Sequence, residues 1–444
     1  MGSKGRKKSM SMYADEYHRK LTTPEQAAVR IGQGATLVHG MAIGEPPALL
    51  AAIAQRVRVG DLEDLKVFSL LPMQHAARTI LAPHLLDKIH PFCWFLTAYD
   101  RDLVKKGLNY FVPNEFHQIP RLIRDFMEID VTVTTVSPMD QAGFFSFGVV
   151  NDYISTAARH CKQLIVEVNP HMPRVFGDAL LHVSEVDAIV EHAAPLIEAV
   201  PAKPKPEAEA IGRRIAEMIP DGATIQLGIG GIPNAVCEHL ENHQDLGIHT
   251  ELMCPGMVHL IKKGAVTGKK KTLHPLKHVF TNAIGDQEMY EFMHDNPSME
   301  SYPVSYTNAP EVIAKNDRMI SINSTIEVDL LGQCNSEFLE GTQYSGTGGQ
   351  LDYVRGAFNA KDGKSIIAFY ATAHSGEVSR VVPRFQAGTV VTTPRMDTHY
   401  LATEYGVVNL KGKSTRDRAL DIISLAHPRF RDDLLKEAQG LRLL

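Results

Sequence analysis

A glycine-rich turn, Gly228-Ile229-Gly230-Gly231-Ile232-Pro233-Asn234, is followed downstream by His249-Thr250-Glu251. Bare backbone N–H groups and a positioned carboxylate are the two parts needed to make and stabilise a thioester. The carboxylate can serve as a covalent nucleophile, and the amides can face an oxyanion or a phosphate. Glycine also lets a backbone approach a ligand closely. The segment before the turn, Ala223-Thr224-Ile225-Gln226-Leu227, is β-branched and apolar, and 234–240 follows with helical character, so the order is strand, turn, helix. Apolar Ile248, Leu252 and Met253 flank Glu251 and argue against the free solvation that is the common fate of a glutamate.

The same unit occurs earlier in the chain. Gly34-Ala35-Thr36-Leu37-Val38-His39-Gly40, then Gly44 and Pro46, parallels Gly222-Ala223-Thr224-Ile225-Gln226-Leu227-Gly228, then Gly231 and Pro233, with one residue of slippage. Downstream, Asp64-Leu65-Lys66-Val67-Phe68-Ser69-Leu70 parallels Asp245-Leu246-Gly247-Ile248-His249-Thr250-Glu251, so Leu70 stands where Glu251 stands. An internal repeat implies repeated architecture, and the carboxylate places the chemistry in the second copy.

Competing motifs fit less well. A dinucleotide fingerprint needs a third glycine where this turn has Pro233, and no acidic residue follows a matching strand in the expected way. Gly412-Lys413-Ser414 lacks the upstream glycine of a phosphate loop. A second glycine cluster, Ser345-Gly346-Thr347-Gly348-Gly349-Gln350, lies between apolar runs and reads as a loop joining core elements, where binding residues concentrate.

The elements that position these groups are short apolar runs such as Thr132-Val133-Thr134-Thr135-Val136, Leu164-Ile165-Val166-Glu167-Val168, Met319-Ile320-Ser321-Ile322 and Ile366-Ile367-Ala368-Phe369, alternating with amphipathic helical patterns. That alternation predicts α/β architecture with mainly parallel sheets buried on both faces. Pro201-Ala202-Lys203-Pro204-Lys205-Pro206 reads as an extended linker. It predicts two domains, 12–200 and 207–444, the second opening with a helix over 207–218.

A net charge of −5 offers no electrostatic footprint for nucleic acid, and the one basic run, Lys4 to Lys8, belongs to a polar N-terminal tail. Apolar runs are too short to span a membrane and no signal peptide opens the chain, so a cytoplasmic protein is expected. Cys93, Cys161, Cys237, Cys254 and Cys334 have neither disulfide nor zinc spacing and read as free thiols, with Cys254 three residues beyond Glu251.

Taken in order, these motifs resemble the family I coenzyme A transferases, in particular the branch of 4-hydroxybutyrate and butyryl-CoA:acetate CoA-transferases and acetyl-CoA hydrolases. The likeness covers nearly the whole chain. It includes Val136-Ser137-Pro138-Met139-Asp140 with Gly143, Val168-Asn169-Pro170 with Met172-Pro173-Arg174, both glycine clusters, His249-Thr250-Glu251, Ile320-Ser321-Ile322-Asn323-Ser324, Glu327-Val328-Asp329-Leu330 and Thr403-Glu404-Tyr405-Gly406.

The resemblance implies two tandem, topologically related α/β domains of the CoA-transferase type, with the active site in the cleft between them. It implies ping-pong transfer of CoA from a short-chain acyl-CoA, butyryl-CoA or 4-hydroxybutyryl-CoA, to a carboxylate such as acetate, through a glutamyl-CoA thioester on Glu251. Gly228, Ile229, Gly230, Gly231 and Ile232, with Gly349 by a looser register, match residues that contact CoA in the family. No metal and no permanently bound cofactor is implied; CoA and acyl-CoA enter as substrates, and the chain is expected as a homodimer or higher homo-oligomer. Met41, Leu70, Met73, Gln74 and His75 are the residues expected to face the acyl chain. Hydrolysis of acyl-CoA, or transfer to a dicarboxylate such as itaconate or succinate, is the alternative. One departure is His374, in a segment where relatives often carry a lysine.

Overall fold

Strands that are apolar on both faces need cover on both, and the β-branched runs of this chain obtain it in two parallel sheets. The computed structural model describes residues 12–199, 203–228 and 230–444; the basic run at 4–8, Pro201, Ala202 and Ile229 lie outside the described residues. The first sheet contains β1 (Thr36–His39), β2 (Leu65–Ser69), β3 (Ile89–Cys93), β4 (Tyr110–Phe111), β5 (Ile129–Val136), β6 (Cys161–Val168) and β7 (Ala188–Glu191). Their order is β7-β6-β5-β1-β2-β3-β4, all parallel. The second contains β8 (Thr224–Leu227), β9 (Gly247–Ile248), β10 (Met319–Ser324), β11 (Lys364–Ala368), β12 (Tyr400–Thr403) and β13 (Gly406–Asn409), in the order β9-β8-β10-β11-β12-β13. Only the β12–β13 pair is antiparallel.

The expected repeat is present in this topology. In each sheet the strand before the turn lies between the next strand of the sheet in sequence and a later one: β1 between β2 and β5, β8 between β9 and β10. The turns differ. After β1 the chain makes a 3₁₀ turn at Ala42–Gly44 before helix α1 (Pro47–Arg58), whereas after β8 it enters its helix directly. Backbone conformations recur where the matched residues are the same type: Gly34 and Gly222 have φ of 69° and 71°, and Asp64 and Asp245 have 63° and 54°.

Alternation along the strands divides the core. Leu37, Val131, Val133 and Ile165 face a layer with Leu49, Ile53 and Val57 of α1. Val38, Leu164 and Val166 face the opposite way into a larger core that also contains Ile225, Ile320, Ile322, Ile366 and Ala402 of the second sheet. The outer face of the second sheet, with Ile367 and Leu401, is covered by the C-terminal helices Thr415–Leu425 and Pro428–Gly440. One core is therefore shared between the halves. Helix α2 (Pro206–Ala216) opens the second half, one residue earlier at its start than the pattern predicts and two shorter at its end. No helix among the described residues is long and apolar enough to cross a membrane.

Candidate active site

Glu251 occupies a bend between β9 and a two-residue strand, Leu252–Met253, rather than the end of a regular strand. Its own carbonyl accepts from the N–H groups of Thr281 (3.2 Å) and Asn282 (3.0 Å). The carbonyl of Thr281 in turn accepts from Asn151 (3.0 Å) and Asp152 (3.3 Å), and Ala283 donates to Val149 (2.8 Å), so first-half residues brace the backbone that carries Glu251. The carboxylate thus sits where the two halves meet.

Its side chain is half-buried at the bottom of this junction. Asn308 Nδ2 donates to Oε2 at 2.6 Å, and the Gly349 N–H also faces the carboxylate. A Cβ at Gly349 would fall inside the van der Waals envelopes of Glu251 Oε2 and Asn308 Nδ2. Burial pushes the Glu251 carboxyl up to about 7, against the Asn308 bond, with the charges of Asp352 and Asp152 adding to the rise. A carboxylate that ionises near neutrality and is only lightly solvated is a competent nucleophile.

Asn308 is held from behind. His249, fully buried and kept neutral by that burial, with its pKa lowered to about 3, donates Nε2–H to the carbonyl of Thr307 at 2.8 Å, and Tyr353 Oη donates to the same carbonyl at 3.2 Å. Asn308 lies 57 residues from Glu251 in a segment with no local pattern to mark it, and sequence reasoning did not find it.

Gly349 is the N-cap of α5 (Gln350–Asn359), and the first half grips this helix start. Phe116 N–H donates to Gly348 at 3.2 Å. His117 donates to the fully buried Asp352 twice, from its backbone at 3.1 Å and from Nδ1 at 2.7 Å. Glu115 pairs with Arg355 at 3.0 Å. Glu115, His117 and Asp352 bring three ligand-type atoms within 4.8 Å of one another, but these groups are engaged with each other and with Arg355, which makes the cluster an ion-pair clamp on α5. His117→Ala removes the Nδ1 donor to a buried carboxylate, a loss of about 1–3 kcal/mol. The expected result is a lower melting temperature and a lower kcat with an unchanged KM for acyl-CoA. His117→Asn, whose Nδ2 can replace Nδ1 as donor, should stay near wild type; equal damage from both substitutions would refute the clamp.

The glycine turn opens on the other side. Gly230, at φ 126° and with open space where a Cβ would go, is the N-cap of α3 (Gly231–His239). The N–H of Gly228 is spent on Ile322 in the sheet at 2.9 Å, so of the residues expected to donate there, only Gly230, Gly231 and Ile232 among those described have N–H groups at the free end of the helix. Ile229 lies outside the described residues. A cavity of about 490 Å³ is lined by Gly228, Gly230, Gly231, Leu252, Cys254 and Tyr370. A second cavity, of about 480 Å³, shares Lys205 and Tyr370 with it and adds His374 and Arg380. Arg380 is a cation that sequence reasoning passed over; His374 stands beside it.

The residues expected to face the acyl chain divide. Met41 and Leu70 are each 1% exposed and closed into the shared core, while Met73, Gln74 and His75 keep part of their surface. Glu45 organises them: its buried carboxylate accepts from the N–H groups of Met73 (2.6 Å), His75 (3.1 Å) and Ala76 (3.1 Å).

Known proteins resemble this chain over nearly its whole length. The acetyl-CoA hydrolase/transferase N-terminal domain matches residues 5–201 and the C-terminal domain of the same family matches residues 285–438. The chain is 42% identical to a succinyl-CoA:cyclohexane-1-carboxylate CoA transferase of Geobacter metallireducens, over 98% of each chain. It is also 42% identical to a 4-hydroxybutyrate coenzyme A transferase of Clostridium kluyveri, over 95% of this chain and 97% of that one. The crystal structure of RipA from Yersinia pestis superimposes with a TM-score of 0.94 at 50% identity, covering 97% of this chain and all of that one.

Proposed function

Because the chain belongs to the acetyl-CoA hydrolase/transferase family and is an acyl-CoA:carboxylate CoA-transferase, we propose that it exchanges CoA between a short-chain acyl-CoA and acetate through a thioester on Glu251. The observation that carries this reading is the Glu251 carboxylate held by Asn308 with the amide of Gly349 against it, between the two halves and one residue from the glycine-lined cavity. Glu251 attacks the acyl carbonyl and CoA thiolate leaves, giving a mixed anhydride. The thiolate attacks the glutamyl carbonyl and expels the first carboxylate, giving the thioester. Acetate attacks the thioester carbonyl and expels CoA thiolate, which then attacks the acetyl carbonyl, forms acetyl-CoA and frees Glu251. When the glutamyl carbon becomes tetrahedral its oxygen bears negative charge, and Asn308 Nδ2 with the Gly349 N–H supplies donors already in place. A preorganised donor of this kind is worth about 3–4 kcal/mol. The cavity at Gly230 and Gly231 and its neighbour with Arg380, which share Lys205 and Tyr370 in their walls, offer an elongated, phosphate-bearing substrate two adjoining compartments.

A monocarboxylate acceptor suits the surroundings better than a dicarboxylate. Burial lowers the pKa of His75, with the charge of Arg78 adding to the fall, and burial lowers that of His39 to about 4, so both histidines resist taking up the proton that would pair with a second carboxylate. With butyryl-CoA or 4-hydroxybutyryl-CoA as donor, acetyl-CoA should accumulate on addition of acetate while free CoA stays low. Free CoA rising at the same rate with and without acetate would assign hydrolysis instead, and faster transfer to succinate or itaconate than to acetate would overturn the choice of acceptor.

The homo-oligomeric state and the cytoplasmic location remain part of this proposal, as does the division into domains 12–200 and 207–444.

A further inference from the structure

Two thiols meet beside the coenzyme cavity, and the transfer reaction uses neither. Cys254 is the N-cap of α4 (Pro255–Lys263), a nine-residue helix, and lines the cavity with Gly228, Gly230 and Gly231. Cys237, on α3, is buried behind it: its Sγ would lie 2.9 Å from a Cβ placed on Gly256, in the first turn of α4. Gly256 lies two residues beyond Cys254, so both thiols stand at the start of α4. One thiol therefore opens to the cavity while the other stands behind it, the arrangement of an attacking and a resolving cysteine.

Resting on the reading of this cavity as the CoA compartment, we propose that Cys254 and Cys237 form a thiol–disulfide exchange site that takes a disulfide of the CoA class. Cys254 thiolate attacks one sulfur of CoA disulfide, forming a Cys254–CoA mixed disulfide and releasing CoA thiolate. The Cys237 thiol gives up its proton to solvent or to the departing thiolate and attacks the Cys254 sulfur, forming the internal disulfide and releasing the second CoA thiolate. Two protein thiols are oxidised, one disulfide is reduced and two CoA thiols leave. Cys254 lines the cavity at the N-terminus of α4 and takes the attacking role, while the buried Cys237 resolves. Cys254 lies three residues beyond Glu251, and a CoA moiety bonded there fills the cavity that the substrate needs.

The test treats the reduced full-length protein with CoA disulfide, and in parallel with oxidised glutathione, and maps thiols by alkylation and peptide mass spectrometry. The expected result with CoA disulfide is a Cys237–Cys254 crosslinked peptide, two CoA thiols released per chain, and transferase activity that falls as the crosslink forms and returns with dithiothreitol. Cys237→Ser should stop at the mixed disulfide on Cys254. Oxidised glutathione reaching the same crosslink more slowly separates the two readings, since it tests the thiol pair without assuming a CoA compartment. If both disulfides leave Cys254 fully alkylatable in a preparation that transfers CoA normally, the exchange site is refuted while the transferase stands. Oxidation confined to half-buried Cys161 would refute it as well.

Discussion

Glu251→Ala is expected to abolish transfer, and the wild-type protein incubated with acyl-CoA alone should carry a covalent CoA adduct on the peptide containing Glu251. The first half-reaction needs no acceptor, so the thioester should accumulate and be visible by mass spectrometry, with borohydride converting it to the alcohol. Glu251→Asp should retain little activity, because the shorter arm displaces the attacking oxygen by about the 1 Å that costs on the order of a hundredfold in rate. An adduct on Glu327, Glu337 or Glu404 would refute the assignment. The pH dependence has a definite sign. With the carboxyl raised to about 7, the nucleophile is mostly protonated below neutrality, and kcat/KM should fall tenfold per pH unit on the acid side of that value. Stability runs the other way. The folded pKa lies above the unfolded value of 4.5, so the contribution to stability is complete below 4.5 and lost as pH rises through about 7. Glu251→Gln removes that cost and should melt higher than wild type at pH 8, by up to about 3 kcal/mol, with little difference at pH 4.

Gly349→Ala is expected to lower kcat by about a hundredfold to a thousandfold in a protein that folds normally, the range seen when a preorganised oxyanion donor is lost. Gly349 has φ −93° and ψ 10°, a conformation open to alanine, so the backbone accepts the substitution without strain. The damage falls on the site alone. The new methyl must displace either the Glu251 carboxylate or Asn308 Nδ2, and with it the 2.6 Å bond between them. Gly32→Ala, where a Cβ meets nothing within 4 Å, is the control. Near-wild-type kcat for Gly349→Ala would mean that the carboxylate works from a position other than the one described.

The strand–turn–helix units were legible because burial on both faces demands near-continuous β-branched runs, and because turns with positive φ recruit glycine and aspartate at fixed offsets. That is why the match of Asp64 to Asp245 by residue type found the same backbone conformation twice. Glu251 and Gly349 were singled out because their flanking residues carry the family's order of motifs, and the fold brings the two together. Asn308, His117 and Asp352 were not. His117 and Asp352 are 235 residues apart and pair only once two sheets have packed, and an amide or imidazole donor has no spacing signature of its own. The slippage of the two glycine turns also has a physical cause: the first copy inserts a 3₁₀ turn before its helix, while Gly40 and Gly228 alike donate to the neighbouring strand. Met41 and Leu70 lie in the core because apolar residues beside a strand end can turn inward.

The single core that runs from Val38 and Val166 through to Ile322 and Ala402 has a consequence for any attempt to treat the halves as independent modules. Each half, taken alone, exposes the inner face of its own sheet to water, a patch far larger than a stable monomer tolerates. The extended stretch near residue 203 can therefore be cut without harm only while both fragments are present: the halves behave as obligate subunits joined by a tether, and exchanging one for a homologous half requires matching the buried face as closely as a heterodimer interface.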